Sequence, residues 1–96
     1  MTAAIADNPP LFPLGNLYST PGALAELSEQ DIAKGIARHW TGDWGDVCPE
    51  DKQLNDEAVN CGFRMLSVYQ GQNNIKFWII TEADRSATTV LLPDEY

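Results

Sequence analysis

Positive charge is scarce in this sequence of 96 residues. Six lysines and arginines stand against fourteen aspartates and glutamates, so the net charge is −8 at pH 7. Nucleic-acid affinity depends on lysine and arginine displacing the counterions of the phosphates, so we expect no nucleic-acid surface. The acid is concentrated in residues 21–62, which hold nine acidic and three basic residues. Such a segment favours a basic protein partner, although a solvated helical surface has the same composition.

Metal-binding and nucleophilic residues are also scarce, with one histidine and two cysteines in the chain. Structural zinc takes four Cys and His ligands at short spacing, and calcium takes alternating oxygen ligands around a mid-loop glycine. The sequence has neither pattern, and it lacks the GxSxG, glycine-rich phosphate-loop and HExxH motifs. We therefore expect no metal site, no cofactor and no catalytic residue.

Long apolar runs are absent, and the first 20 residues contain no basic residue. Neither a transmembrane helix nor a signal peptide is predicted, which favours a cytoplasmic location and no membrane partner. Residues 1–10 are small and polar and end in two prolines, a composition typical of a flexible leader. Residues 11–96 have room for one domain with one core.

Helical patterns occupy the middle of the chain. In TPGALAEL, a threonine in the capping position precedes a proline that fits the first helical turn. In SEQDIAKGIARHW, a serine can cap the helix, and Ile32, Ile36 and Trp40 recur at a spacing of four. Gly35 is the internal weakness of this amphipathic helix. Two or three helices are therefore predicted before the last third of the chain.

The third predicted helix, PEDKQLNDEAVNCG, is flanked by Cys48 and Cys61. The two thiols are too far apart along its axis for a disulfide, so both should be free. Its expected core face is Leu54, Ala58 and Cys61. Cys61 is accordingly predicted to be buried, as free cysteine commonly is.

Three runs rich in branched and aromatic residues close the chain: FRMLSVYQ, IKFWIITE and ATTVLLP. The joints between them are short, so the strands are predicted to form an antiparallel meander. Residues 11–19 mix apolar side chains with Pro13 and Gly15 and allow only a short strand. The sequence thus predicts an α+β fold: a short N-terminal strand, two to three helices, and a three-stranded antiparallel meander with the helices packed on one face.

The segment HWTGDWGDVCPED, residues 39–51, concentrates carboxylates around an imidazole, a thiol and two indoles. Trp44 lies between two glycines, where an indole either covers the core or anchors a protein interface. Asp43 and Asp46 either bind a partner or accept backbone hydrogen bonds in the turn. His39 falls at a helix end, where the helix dipole favours the protonated imidazole. We take these four as candidate contacts for a protein partner.

A second candidate contact is the hairpin tip within TEADRS, where Glu82, Asp84 and Arg85 gather. Carboxylates and a guanidinium can bind a ligand together. The same residue types also satisfy the backbone of a tight turn. The sequence leaves both interpretations open.

Four stretches, FPLGNLYSTPGAL, HWTGDWGD, LND and WIITEADRSATTVLLPDEY, occur in this order. With them the chain resembles, over most of residues 12–96, a family of small uncharacterised bacterial proteins often encoded on plasmids and other mobile elements. Its members are labelled plasmid-related or type I restriction subunit. A restriction methyltransferase needs a cofactor-binding domain far larger than this chain. The resemblance assigns no catalytic residue, and it implies a role in modulating host defence or a mobile-element process through a protein contact.

The residues and the resemblance together predict a non-enzymatic accessory protein that binds another protein through an acidic surface. Such a surface can imitate DNA phosphates toward a basic groove. The alternative is a small toxin-type ribonuclease, or another small enzyme, that uses His39 and Arg85, because the order of elements looks like the fold of such toxins. Only Arg64, Lys76 and Arg85 lie on the predicted sheet, which disfavours the grip on a polyanion that a ribonuclease needs.

Overall fold

The computed structural model describes residues 9–96 and confirms the predicted α+β class. In chain order the elements are β1 (Asn16–Ser19), α1 (Pro21–Glu26), α2 (Glu29–Trp40), α3 (Pro49–Cys61), β2 (Met65–Gln70), β3 (Lys76–Thr81) and β4 (Ala87–Leu91). Two short 3₁₀ helices, Gln72–Asn74 and Pro93–Glu95, follow β2 and β4. Of the predicted leader, residues 1–8 lie outside the described residues.

The helices begin where the sequence places their caps. The Thr20 hydroxyl accepts a hydrogen bond from the Ala23 N–H at 3.3 Å, and the Ser28 hydroxyl accepts one from the Asp31 N–H at 3.0 Å. These contacts satisfy backbone donors that have no partner within their helix. Gly62 ends α3 with a φ of 76°, a left-handed conformation that glycine adopts without steric cost.

The four strands form one sheet in the order β1-β4-β3-β2. Strands β2, β3 and β4 form the predicted antiparallel meander, with Ile79 of β3 opposite both Ser67 of β2 and Val90 of β4. Strand β1 pairs with β4 in the parallel direction, which the sequence did not indicate. A parallel pair needs a long connection, and here the three helices, β2 and β3 all lie between β1 and β4 in the chain.

All three helices pack on one face of the sheet, as predicted. One group of buried side chains joins α1 to the strands: Ala23, Leu27, Tyr69, Phe77, Ile79 and Val90. A second group includes a residue of α3: Phe12, Trp44, Ala58 and Met65. Gly35 lets α2 approach the sheet, because a Cβ atom there would lie 2.9 Å from the Phe77 ring. The glycine that weakens α2 in isolation thus permits its packing.

The predicted core face of α3 is wrong in part. Leu54 is 60% exposed and Cys61 is exposed, whereas Asn55 and Ala58 are buried. The Asn55 side chain sets this rotation, because its amide donates to the Leu66 carbonyl at 2.8 Å and accepts from the Leu66 N–H at 3.2 Å. It thereby satisfies backbone groups on the outer edge of β2, which an aliphatic side chain cannot do.

No α-helix of residues 9–96 packs on the other face of the sheet, yet its central residues Ile80 and Leu91 are each only 5% exposed. We name this side the open face; its strand positions include Tyr18, Leu66, Val68, Trp78, Ile80 and Leu91. The C-terminal residue covers part of it, since the Tyr96 ring lies 5.6 Å from the Trp78 ring between centroids. A sheet with one uncovered face normally alternates apolar with polar side chains. Here both faces are largely apolar.

Candidate functional site

Trp44, the first candidate contact, lies in the core. It is 2% exposed, and its indole N–H donates to the Asp56 carboxylate at 2.8 Å. Gly45 pairs with Val68 of β2. Only glycine permits this close approach, because a Cβ atom at residue 45 would lie 2.0 Å from the Val68 carbonyl oxygen, and the φ of 76° also favours glycine. The loop therefore lies along the sheet edge and turns the indole inward. The prediction that Trp44 is a surface contact is wrong in this fold.

His39 is fully buried, so it is neither a helix-end cap in water nor a contact residue. Its Nδ1 lies 2.6 Å from the Ser67 hydroxyl, and its Nε2 lies 2.8 Å from the Thr81 hydroxyl. Burial lowers the pKa of the imidazole to about 3. The expected protonated form is therefore wrong, because the cost of burying a charge exceeds the stabilisation that a helix terminus offers.

The hydrogen-bond chain around His39 has one direction. The Thr88 hydroxyl donates to the Leu14 carbonyl oxygen at 2.7 Å, so it must accept from the Thr81 hydroxyl, 2.7 Å away. Thr81 has then given away its only proton and accepts from the Nε2–H of His39. Nδ1 is left as the acceptor for Ser67. With a neutral imidazole protonated on Nε2, every hydrogen-bonding group of this series, from Ser67 to the Leu14 carbonyl, has a partner. Both ring nitrogens are engaged, so neither has a free lone pair for catalysis.

Phe12 brings three of the predicted site residues together. Its ring meets the His39 ring edge-on at 5.4 Å and stacks on Trp44 at 6.2 Å between centroids. The Arg85 guanidinium lies 5.7 Å from the same ring. The sequence identified residues that do converge. These residues pack around a buried phenylalanine and do not line a cleft.

Arg85 ties the hairpin tip to the end of α3. Its guanidinium donates to the carbonyl oxygens of Ala58 at 2.6 Å and Phe63 at 2.8 Å, and also to those of Glu82 and Ala83 within its own turn. Five N–H donors in a planar fork suit this use. With His39 buried and Arg85 engaged by backbone, the pair proposed for a ribonuclease does not converge on a substrate site.

Two of the candidate carboxylates accept backbone hydrogen bonds within their own turns. Asp43 accepts from Arg38 in a bidentate pair at 2.7 and 3.1 Å and from the Gly45 N–H at 3.2 Å, and the Arg38 guanidinium holds its pKa below the ordinary value. Asp84 accepts the Ser86 N–H at 3.0 Å. The turn interpretation is thus observed for both residues, and both are exposed.

Asp46 and Glu82 complete the candidate contacts. Both are exposed, and no side-chain hydrogen bond joins either carboxylate to another residue of the described range 9–96. Asp46 adjoins α3, whereas Glu82 lies at the hairpin tip. The two remain candidate contacts, as do Asp43 and Asp84.

Carboxylates collect on the helical side of the molecule. We name as the acidic layer the nine acids of residues 21–62: Glu26, Glu29, Asp31, Asp43, Asp46, Glu50, Asp51, Asp56 and Glu57. Eight of the nine are exposed, and Asp31 is half-buried. The four strands contain no acid and a single base, Lys76. The acids of this layer therefore lie on the helices and on the loop before α3, and none lies on a strand.

Two open depressions flank this layer. A groove of about 260 Å³ lies between α3 and β2, lined by Asp51, Leu54, Asn55, Arg64 and Leu66. A smaller hollow of about 120 Å³ is lined by Gly42, Asp43, Trp44, Gly45, Val47 and Lys52. Across the described part of the chain, no three His, Cys, Asp or Glu side chains are grouped to hold a metal ion. None of the helices in residues 9–96 is long and apolar enough to span a bilayer.

Comparisons with protein-family models, curated proteins and solved structures find no match to this chain.

The open face is a surface that the sequence analysis missed. Its signal is present in the chain, because FWII within β3, residues 77–80, is apolar at consecutive positions rather than at alternate ones. Such runs are typical of strands with both faces covered.

Proposed function

We propose that the protein is a non-enzymatic accessory protein that binds another protein through its acidic layer. The observation that carries this proposal is the separation of charge, with nine acids in residues 21–62 and none in the four strands. A surface of one sign attracts a partner of the other sign and accelerates their encounter. The partner is accordingly a protein with a basic surface.

Most carboxylates of the acidic layer lack a basic neighbour. The ion pairs within residues 9–96 are Arg38 with Asp43 at 2.7 Å and Lys52 with Asp56 at 3.1 Å. The other acids of the layer repel one another weakly through water. A basic partner would remove that repulsion on binding.

Exposed apolar side chains on the same helices as the acidic layer can anchor such a contact. Leu24 of α1 is 64% exposed, and Leu54 of α3 is exposed beside the groove. Exposed ion pairs contribute only about 0.2–1 kcal/mol each, so a stable complex also needs apolar burial. The layer supplies both kinds of contact.

The resemblance to mobile-element proteins favours a partner of the host that handles DNA. Basic grooves of such proteins are shaped for phosphates, and carboxylates on a rigid helical surface can occupy the same positions.

The test is affinity capture from bacterial lysate with the wild type and a variant that neutralises two exposed acids, Asp46→Asn with Glu50→Gln. We expect the captured partner to be basic and to be lost from the variant, with wild-type binding falling about tenfold or more from low to physiological salt. The matched control uses single variants, Glu50→Gln against Asp94→Asn, which change net charge equally, and Asp94 lies outside both the acidic layer and the hairpin tip. Equal loss in both variants, or capture that is indifferent to salt, contradicts the proposal.

A further inference from the structure

The groove between α3 and β2 is lined by two opposite charges that do not pair with each other. Asp51 lies in the first turn of α3, and Arg64 comes directly before β2. Both line the groove, and both are exposed. The two ion pairs within residues 9–96 involve neither of them, so the guanidinium and this carboxylate are more than 4 Å apart. A ligand that carries both charges can bridge them.

The Arg64 guanidinium is held in place and still has donors to offer. Its Nη2 donates to the Tyr96 hydroxyl, and the guanidinium lies 5.1 Å from the centre of the Tyr96 ring. A guanidinium has five N–H donors, and this is the one hydrogen bond that the Arg64 side chain makes within residues 9–96. Arg85, by contrast, donates to four backbone carbonyls. Arg64 can therefore bind a carboxylate through two parallel hydrogen bonds.

The rest of the groove lining is apolar or already hydrogen-bonded. Leu54 is 60% exposed, and Leu66 is half-buried. Asn55 is buried, and its amide both donates to and accepts from the Leu66 backbone. The charged ends of a ligand thus find their partners in Arg64 and Asp51, and its apolar part finds the two leucines.

We infer that this groove binds a free α-amino acid with an apolar side chain, of which L-leucine is the type. The Arg64 guanidinium binds the α-carboxylate, the Asp51 carboxylate binds the α-ammonium, and the ligand side chain lies against Leu54 and Leu66. This goes beyond the proposed function, because the ligand is a small molecule and its carboxylate is held by a residue outside the acidic layer.

The size of the groove fits such a ligand. A compact space of about 260 Å³ is about 8 Å across. An α-amino acid with a hydrogen bond of about 2.9 Å at each charged end reaches over about the same distance. L-leucine has about nine non-hydrogen atoms and the groove is open on one side, so we expect a dissociation constant on the order of 1 mM.

Charge selects a free amino acid over ions of one sign. A ligand with only a carboxylate meets Asp51 and a chain of net charge −8 as well as Arg64. A ligand with only an ammonium group places its cation near the Arg64 guanidinium. A peptide has no ammonium and carboxylate on the same α-carbon. A free amino acid has both, and it pairs each charge with its opposite.

Titration of the full chain with L-leucine, followed by proton–nitrogen NMR, tests the inference up to about twenty times the expected dissociation constant. We expect saturable shifts of the backbone amides that line the groove, such as Asn55 and Leu66. N-acetyl-leucine lacks the ammonium, leucinamide lacks the carboxylate and glycine lacks the side chain. Each should bind about tenfold or more weakly than L-leucine.

Arg64→Gln and Asp51→Asn should each weaken L-leucine binding about tenfold or more. The matched controls are Lys34→Gln and Asp94→Asn, which make the same changes of charge at exposed positions outside the groove lining and should leave the dissociation constant unchanged. Circular dichroism checks the fold, and Asp51→Asn decides the matter if Arg64→Gln does not fold.

Three results overturn the inference. The first is the absence of saturable shifts at the groove. The second is equal binding of L-leucine and N-acetyl-leucine, or of L-leucine and leucinamide, which would mean that the two charges are not read together. The third is equal weakening by the groove variants and their matched controls, which would mean that only net charge matters.

Discussion

The Nε2 of His39 and the hydroxyl of Thr81 form a 2.8 Å hydrogen bond inside the core, and the histidine is the donor. The direction follows from Thr88, which passes its proton to the Leu14 carbonyl and must accept from Thr81. Together with Ser67 on Nδ1, the bond links α2 to β2 and β3. The one imidazole of the chain is thus a neutral crosslink between layers.

Folding stability should fall as the pH drops from 7 to 5. The folded pKa of His39 is about 3, below the ordinary 6.5, so at intermediate pH the unfolded chain binds a proton that the folded chain does not. Stability is complete above about pH 6.5 and falls by about 1.4 kcal/mol per pH unit below it. Urea unfolding should show a loss of about 2 kcal/mol between pH 7 and 5.

The control for this pH effect is His39→Gln, which cannot be protonated in this range and should lose the dependence while lowering stability at pH 7. Carboxylates such as Asp43, whose pKa lies below the ordinary 3.8, contribute to acid unfolding only below about pH 4. A flat profile for the wild type between pH 7 and 5 would show that the imidazole is not buried in neutral form.

Gly45→Ala should destabilise the protein far more than Gly62→Ala. Both glycines have a φ of 76°, so the backbone strain of a Cβ atom is shared. At Gly45 the new atom also meets the Val68 carbonyl at 2.0 Å, whereas at Gly62 nothing lies within 4 Å. We expect about 1 kcal/mol for Gly62→Ala and more than about 3 kcal/mol for Gly45→Ala, measured by urea unfolding. Equal losses would mean that the loop does not lie against β2.

Arg85→Lys should be almost as damaging as Arg85→Ala. A lysine ammonium cannot reach the carbonyls of Ala58, Phe63 and Glu82 at once, as the guanidinium does. Each variant should lose about 2 kcal/mol of unfolding free energy, because the part-buried Ala58 carbonyl loses its donor and the link between the hairpin tip and α3 is broken. Arg64→Lys, on an exposed side chain, is the control and should change stability by less than about 0.5 kcal/mol. Full retention of stability by Arg85→Lys would show that the several hydrogen bonds of the Arg85 guanidinium do not stabilise the fold.

Local chemistry made the helix starts and the meander predictable. The Thr20 and Ser28 caps depend only on side chains within three residues of the backbone they satisfy. The short joints between β2, β3 and β4 allow only antiparallel neighbours. The parallel partner of β1 was not predictable in this way, because it depends on where a strand some seventy residues later lies.

The prediction of exposed contact residues was wrong at the positions whose exposure is decided by contacts distant in sequence. His39 and Trp44 have the residue types of a reactive or binding loop, and only their tertiary partners Ser67, Thr81 and Asp56 show that they are buried. Their proximity in sequence reflects shared packing around Phe12. The acidic layer was predictable from composition, because the acids are concentrated in residues 21–62. Their placement mostly on helices followed from the predicted helices of that segment.

The protonation state of His39 tests most directly the central structural claim, that the one imidazole of this chain is a buried and neutral part of the core. Nitrogen-15 NMR of the imidazole between pH 8 and 5 is the measurement. The account predicts one neutral species throughout, protonated on Nε2 and bare on Nδ1, with no titration. A titration midpoint near the ordinary 6.5 would show a solvent-accessible imidazole, and a proton on Nδ1 would show the opposite hydrogen-bond direction; either result contradicts the neutral crosslink described above.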